Sequence, residues 1–287
     1  MPALSAAKRS LNPSFIALSW TQRGPEYPMT SGTLRHLQGV TSNRLAIAKR
    51  KLRQVTSESK GKIELAILYG SVSKRIENEF SDIDIALISN RSVHSELSVE
   101  RGIVVECYFA PRKHVLRTIA NPAARDWFYW AGLLDSATII CGNKAIFEEF
   151  KLALNSVPRK RFDEAARIRL LWMLEGLGHV RSACLSEDLA ASMGHASQYR
   201  NTVGEFVALA NERHYSSHVF KAFREARTFE LIPKDYIMIM TELSTTNNIA
   251  RIRELSTKLF DACCEIASQK GIRPVEGIAR TSDKTFA

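Results

Sequence analysis

Residues 67–88 constrain the fold of this chain more than any other segment. They read ILYGSVSKRIENEFSDIDIALI, so an apolar run ends in Gly70-Ser71, and Asp82 and Asp84 enter a second apolar run eleven residues after Ser71. Short apolar runs bounded by turn residues are typical of buried strands, and we expect strands over residues 63–69 and 83–88. Because alternate residues of a strand share a face, both aspartates should lie on one face of the sheet, opposite the isoleucines between and after them.

This pairing of a Gly-Ser turn with two carboxylates predicts a site for phosphoryl chemistry. Asp82 and Asp84 can share hard cations, and two Mg²⁺ ions about 3.5–4 Å apart stabilise the entering and leaving oxygens at phosphorus. Gly70 lets backbone amides approach a phosphate, and Ser71 adds a hydroxyl donor. Lys74, placed one turn into a helix expected after Ser71, can reach the same phosphates. Each signal alone is weak, but their combination is specific.

A third acid, Glu106, stands in the apolar run GIVVECYF, where we expect a strand over residues 103–109. A carboxylate is costly in such a setting unless it is paired or bound to a metal. We therefore expect Glu106 to face the two aspartates, with Val104 and Tyr108 on the same face. It would then be a third metal ligand or the base that takes the acceptor's proton. The alternative is a glutamate on an edge strand in water.

Taken together, Gly70-Ser71, Asp82-Ile83-Asp84 and Glu106 resemble the signature of the DNA polymerase β-like nucleotidyltransferase superfamily. The resemblance implies a small mixed β-sheet flanked by helices, two Mg²⁺ ions and an NTP donor, for which we expect ATP. It also implies release of pyrophosphate. Related minimal nucleotidyltransferases commonly read Gly-Ser-x-Ala-Arg-Gly, whereas this chain has Lys74 and Arg75 at the last two positions. Lys74 keeps the positive charge of the arginine but not its fork of donors.

After Pro158 the chain changes character, because helical spacing recurs in residues 160–183, 197–213, 217–227, 233–244 and 248–270. We therefore predict an α+β fold in which a nucleotidyltransferase domain (29–157) precedes an all-α, acceptor-binding domain (158–275). This organisation resembles the kanamycin and streptomycin nucleotidyltransferase branch. Residues 1–28 and 276–287 are expected to be flexible tails. Before residue 158 we also expect helices over 33–56, near Val115 and over 124–134, and a short strand over 137–141.

The formal charge of +10 would ordinarily suggest a nucleic-acid partner. Residues 1–60, however, hold ten Lys or Arg against Glu26 and Glu58, so they carry +8 and the remainder of the chain only +2. We therefore expect a small-molecule hydroxyl acceptor, for example an aminoglycoside-like compound. Two alternatives stay open: transfer to a protein or an RNA acceptor, the latter favoured by the basic segment 49–53, and a non-catalytic nucleotide-binding regulator.

Glu175 is a candidate on the acceptor side, because it lies in a largely apolar helical segment with His179 four residues on. The alternative is an ordinary i,i+4 pair on a helix surface.

Five cysteines with no CxxC spacing make a disulfide framework unexpected and favour the cytoplasm. Apolar runs long enough for a membrane span do not occur, so no membrane partner is expected. The choice of NTP and the oligomeric state stay open.

Overall fold

The computed structural model describes residues 44–58, 63–216 and 222–273. The predicted tails and the part of the predicted 33–56 helix before Arg44 lie outside the described residues, as does part of the predicted 217–227 helix. The elements are, in chain order, α1 (Arg44–Glu58), β1 (Ile63–Tyr69), α2 (Gly70–Ser73), β2 (Ile83–Ser89), β3 (His94–Glu100), β4 (Ile103–Ala110), α3 (Arg112–Ile119), α4 (Trp127–Ser136), β5 (Thr138–Gly142), α5 (Lys144–Asn155), α6 (Arg159–Leu185), α7 (Leu189–Ala210), a 3₁₀ turn (Glu225–Thr228), α8 (Tyr236–Glu242) and α9 (Ile249–Gln269).

The strands form a mixed five-stranded sheet in the order β3-β4-β2-β1-β5. The pair β2–β4 is parallel and the other pairs are antiparallel. The predicted strands at 63–69, 83–88, 103–109 and 137–141 all occur, with ends shifted by no more than one residue. The mixed sheet flanked by helices is therefore confirmed.

Alternation along the strands divides the sheet into two buried faces. One face carries Ile83, Ile85 and Val105 and is covered by Leu52 and Val55 of α1. The opposite face is covered by α3, α4 and α5, whose apolar side chains pack on it from Val115, Ile119, Trp130, Leu133, Leu134, Ile146, Phe147 and Phe150. Burial on both faces makes the central strands a rigid platform, because no strand there can shift without exposing apolar surface.

The described residues after Pro158 form α-helices and one 3₁₀ turn joined by loops, with no strand, in line with the predicted all-α class. The long helices α6, α7 and α9 share one apolar core, and Trp127 of α4 joins this core by packing edge-on against Phe162, with ring centroids 5.6 Å apart. All described residues belong to one compact unit, so the boundary at 157/158 stays a prediction. Within the described ranges, no helix is long and apolar enough to cross a membrane.

The structure also differs from the sequence-based expectations in its details. It adds the strand β3 and the helix α5, which we did not predict, and it starts α7 at Leu189 rather than at residue 197. The α7 start is set by Asp188, whose side chain accepts a hydrogen bond from the Ala191 amide and caps the helix. The strand β3 lacks a continuous apolar run because it is an edge strand whose side chains alternate between half-buried and exposed.

Phe109 anchors β4, the strand that carries Glu106. Its ring is fully buried and stacks on His94, with centroids 4.5 Å apart, and the Arg91 guanidinium lies 4.0 Å from its centroid. We predict that Phe109→Ala lowers the free energy of unfolding by about 3–5 kcal/mol in urea titrations, because the change leaves a cavity. The matched control is Phe80→Ala, since Phe80 is 83% exposed and should contribute less than about 0.5 kcal/mol. Equal effects of the two changes would contradict this account.

Candidate active site

The three predicted acids lie together at one end of the sheet. Asp84 on β2 is directly opposite Glu106 on the parallel strand β4 and opposite Tyr69 on the antiparallel strand β1. Asp82 comes two residues earlier and shares the face of Asp84, while Ile83 between them is buried in the core under α1. The expected arrangement of carboxylates on one face and isoleucines on the other therefore occurs.

Gly70 makes room for the Asp84 carboxylate. It follows β1 directly and has φ of +71°, in the left-handed region that favours glycine. A Cβ atom at this position would overlap the Asp84 carboxylate. The glycine of the Gly-Ser pair is thus required for a close approach to the acid, in addition to any role in approaching a phosphate.

The helix expected after Gly70-Ser71 is only the four-residue turn α2, so the prediction that Lys74 lies one turn into a helix is wrong. Arg75 ends this segment with φ of +56°, a conformation that glycine adopts at lower cost. The sequence pattern that this segment resembles has glycine at the same place, which fits a backbone conformation that glycine adopts without strain. Ser73 holds the turn to the next layer by donating a hydrogen bond to the Ser136 carbonyl oxygen.

Lys74 extends from this turn toward the helical half. Its Nζ donates a hydrogen bond to the carbonyl oxygen of Ser216, which follows α7. The Ser216 amide in turn donates to Glu225 Oε2 at 2.9 Å. The Lys74 ammonium, which we expect to bind phosphates, therefore lies between the Gly-Ser turn and the chain segment that follows α7.

Negative charge is concentrated around Asp84. Burial, followed by the nearby charges of Asp82 and Glu106, raises the pKa of Asp84 to about 7. Glu106 is half-buried, and its Oε1 accepts a hydrogen bond from Ser95 Oγ at 2.7 Å. A divalent cation would relieve the repulsion among these carboxylates and lower the cost of ionising Asp84.

Among the described residues, no three His, Cys, Asp or Glu side chains converge as a ready-made metal cage. The donor set nevertheless fits Mg²⁺, which prefers oxygen ligands and is usually held by one or two carboxylates together with substrate phosphates and water. Asp84 supports this fit, since its carboxylate sits beside the glycine turn and is crowded by two other acids. The residues are therefore suited to a cation that arrives with phosphate.

A group of tyrosines borders the acids, and of these only Tyr108 was expected on the face of Glu106. The Tyr129 hydroxyl donates to the Tyr69 hydroxyl at 2.5 Å, and the rings of Tyr108 and Tyr129 lie 5.4 Å apart. Tyr129 is partly exposed, whereas its neighbours Trp127 and Trp130 are core residues. The sequence feature that could have placed these tyrosines at the site is the position of Tyr69, which ends β1 next to Gly70 and pairs with Asp84 on β2.

Glu175 lies apart from these interactions on an exposed face of α6. Its Oε1 is 3.9 Å from His179 Nε2, one turn along the helix, and the His179 ring stacks on His195 with centroids 5.4 Å apart. This is the geometry of a surface i,i+4 pair. A role for Glu175 on the acceptor side stays a prediction.

Two family models match the chain. Residues 50–107 match "Polymerase beta, Nucleotidyltransferase", and residues 144–273 match "KNTase C-terminal domain". Among solved structures, a nucleotidyltransferase-like protein from Exiguobacterium sibiricum 255-15 is similar, with 11% sequence identity and a TM-score of 0.46. That match covers 79% of this chain and 75% of the other. The comparison with curated proteins gave no match.

The burial of Asp84 beside two other acids predicts how stability depends on pH when no metal is bound. Asp84 has a folded-state pKa of about 7 against a reference of 3.8, so the folded state binds its proton more tightly than the unfolded state does. The stabilising contribution of this proton is present below about pH 4 and is lost as the pH rises to about 7. Asp84→Asn removes the charge, and we expect it to stabilise the metal-free protein at pH 8 by about 1–3 kcal/mol, since solvent screens part of the repulsion.

The measurement is urea unfolding in the presence of a chelator at pH 4 and pH 8. The difference between Asp84→Asn and the wild type should be small at pH 4 and grow toward pH 8. Asp261→Asn, at an exposed position on α9, is the control and should show no such growth. A destabilised Asp84→Asn variant at pH 8 would contradict the unfavourable burial and repulsion of the Asp84 charge.

Proposed function

Because this chain is a nucleotidyltransferase of the polymerase β-like superfamily, in the branch with a KNTase C-terminal domain, we propose that it transfers a nucleoside monophosphate from an NTP to a hydroxyl group. ATP is the proposed donor, a small molecule the proposed acceptor, and pyrophosphate the second product. The observation that carries the proposal is the position of Asp84, which has Gly70 on one side and Glu106 on the other on a single sheet face.

The reaction needs one bond formed and one broken at the α-phosphorus. The acceptor oxygen bonds to that phosphorus, the bond to the oxygen bridging the α and β positions breaks, and pyrophosphate leaves with the electron pair. Catalysis of this kind is mainly positioning and neutralisation of charge. Two Mg²⁺ ions, held by Asp82 and Asp84, would supply that neutralisation at the phosphates.

The protein's own groups would bind the triphosphate at the end of β1. We propose that the backbone at Gly70, the hydroxyl of Ser71 and the ammonium of Lys74 contact its oxygens. Lys74 would exchange the Ser216 carbonyl oxygen for a phosphate oxygen, which carries more charge and is the stronger acceptor. Such an exchange would link nucleotide binding to the segment that follows α7.

Glu106 is the proposed base that takes the proton of the acceptor hydroxyl. Ser95 supports this role because its hydrogen bond to Oε1 orients the carboxylate. The alternative, that Glu106 is a third metal ligand, gives a different kinetic outcome and is tested below.

The location of the basic helix favours a small-molecule acceptor over RNA. The segment 49–53 belongs to α1, which packs on the sheet face opposite the acids. Arg50 donates to Glu100 Oε2 at 2.9 Å, and Lys51 Nζ lies 3.9 Å from the other oxygen of Glu100, so part of the basic charge is already paired. We propose the cytoplasm as the compartment, in keeping with the five free thiols.

The first functional prediction concerns the two aspartates. We expect Asp82→Ala and Asp84→Ala each to lower Mg²⁺-dependent pyrophosphate release by at least about 100-fold, the scale of losing one group that stabilises transition-state charge. The measurement is pyrophosphate release from a panel of NTPs with aminoglycosides, tRNA or cell extract as acceptor source. Asp261→Ala is the matched control, and its activity should equal that of the wild type. Undiminished release by either site variant would refute the assignment.

The second functional prediction separates the two roles of Glu106. If Glu106 is the base, Glu106→Gln lowers kcat by about 10²–10⁴-fold and leaves the Mg²⁺ concentration for half-maximal rate nearly unchanged. A metal ligand would instead show a large rise in that Mg²⁺ concentration. Titration of Mg²⁺ at saturating NTP distinguishes them, and we expect the first result.

A further inference from the structure

The edge strand β3 places its apolar side chains toward solvent. Leu97 is 58% exposed, Val99 is 62% exposed and their neighbour Val104 on β4 is 45% exposed. Leu97 is directly opposite Glu106, and Val99 is directly opposite Val104. Because cross-strand partners point to the same side of a sheet, these three side chains share the face of the acids. We call the surface formed by Leu97, Val99 and Val104 the open apolar face.

The fold does not require this orientation. The alternating residues of β3 turn their polar groups to the other side, where Glu96 pairs with Arg91 and Glu100 pairs with Arg50 of the α1 layer. An ordinary half-buried strand shows the reverse pattern, with apolar residues packed and polar residues in water. Polar side chains at positions 97 and 99 would cost little stability, so the apolar ones need another explanation.

The order of groups across the sheet explains why apolar side chains stand at positions 97 and 99. From β1 outward come the Gly70-Ser71 turn, Asp84 on β2, Glu106 on β4 and Leu97 on β3. Neighbouring strands are about 4.8 Å apart, so Leu97 lies about 10 Å from Asp84 on the side away from the glycine turn. The apolar side chains are therefore on the opposite side of the acids from the proposed triphosphate.

The in-line geometry of phosphoryl transfer determines the side of the site from which the acceptor approaches. The attacking oxygen approaches phosphorus from the side opposite the leaving pyrophosphate. If the pyrophosphate portion lies at Gly70-Ser71, the acceptor hydroxyl approaches from the β3 side, past Glu106. The surface available to the rest of the acceptor is then the open apolar face.

Resting on the nucleotidyl transfer proposed above, we propose that the acceptor binds on the open apolar face and carries an apolar surface beside its reactive hydroxyl. A polycation such as an aminoglycoside could place one ammonium near Glu106, but its remaining charged groups would lie against Leu97, Val99 and Val104, which offer no hydrogen bond or charge in return for lost hydration. The acceptor class is thus a hydroxyl compound with an apolar side rather than a polyamine sugar.

Alkyl glucosides test this proposal, because the hydroxyl groups stay constant while the apolar part grows. We expect octyl β-D-glucoside, below its micelle concentration, to bind the wild type at least about tenfold more tightly than methyl β-D-glucoside by calorimetry. About two buried methylene groups account for that factor. In the triple variant Leu97→Thr, Val99→Thr, Val104→Thr the ratio should fall below about threefold.

Threonine suits these positions because it keeps a high preference for strands and is close in shape to valine. Circular dichroism and thermal unfolding check the fold, and the double variant Val99→Thr, Val104→Thr replaces the triple variant if the latter does not fold. The control is Leu152→Thr with Leu185→Thr, two exposed leucines of α5 and α6 at 68% and 75% exposure, which should leave the ratio at its wild-type value.

Three outcomes would overturn the proposal. The first is a chain-length ratio that the threonine changes leave intact. The second is tighter binding of kanamycin than of octyl glucoside to the wild type, together with a loss of kanamycin affinity in the triple variant. The third is a wild type that self-associates in sedimentation while the triple variant does not, which would assign the face to a second copy. Binding of Mg²⁺ with a non-hydrolysable ATP analogue is measured separately, and its absence would count against the nucleotidyl transfer instead.

Discussion

The placement of three carboxylates on one face of the sheet is the constraint on which the rest of this half of the chain depends. Asp82, Asp84 and Glu106 lie on one sheet face, and Asp84 is held there by strand pairing on both sides and by the absence of a side chain at Gly70. Burial of Asp84, followed by the nearby charges of Asp82 and Glu106, is unfavourable to its carboxylate in the metal-free protein and raises the pKa of Asp84 to about 7. The divalent cation proposed for this site would relieve that unfavourable term, which lowers stability as long as no metal is bound.

The fold tolerates this loss of stability because the strands next to the acids are buried on both faces of the sheet. Alpha-helical layers cover each face of β1, β2 and β4 except at the end where the acids stand. Rigid strands hold carboxylates in place better than loops can, since a shift of one strand would expose core side chains. The helical half contributes through a specific contact, because Lys74 reaches across to Ser216 rather than to a neighbour in sequence.

The sequence was sufficient for the parts of the molecule that depend on local patterns. Strands with continuous apolar runs were predicted to within a residue at each end, and the shared face of Asp82 and Asp84 follows from alternation alone. Other features depend on tertiary context. Lys74 and Ser216 are 142 residues apart, and no spacing rule links them. The single turn α2 is set by contacts such as Ser73 with Ser136, and β3 lacks an apolar run because its two faces serve different neighbours.

The contacts of β3 also show where part of the basic charge of this protein is neutralised. The basic excess near the start of the chain includes the segment 49–53, part of which is paired with Glu100 on the face away from the acids. On the face of the acids, Glu106 has Asp84 beside it on β2, and the described groups on its β3 side include Ser95 and Leu97. An acceptor that reached Glu106 from the β3 side, as proposed, would meet the exposed side chains of Leu97 and Val99. This surface suits recognition by shape and desolvation, while the carboxylates and Lys74 are the groups proposed for metal and nucleotide.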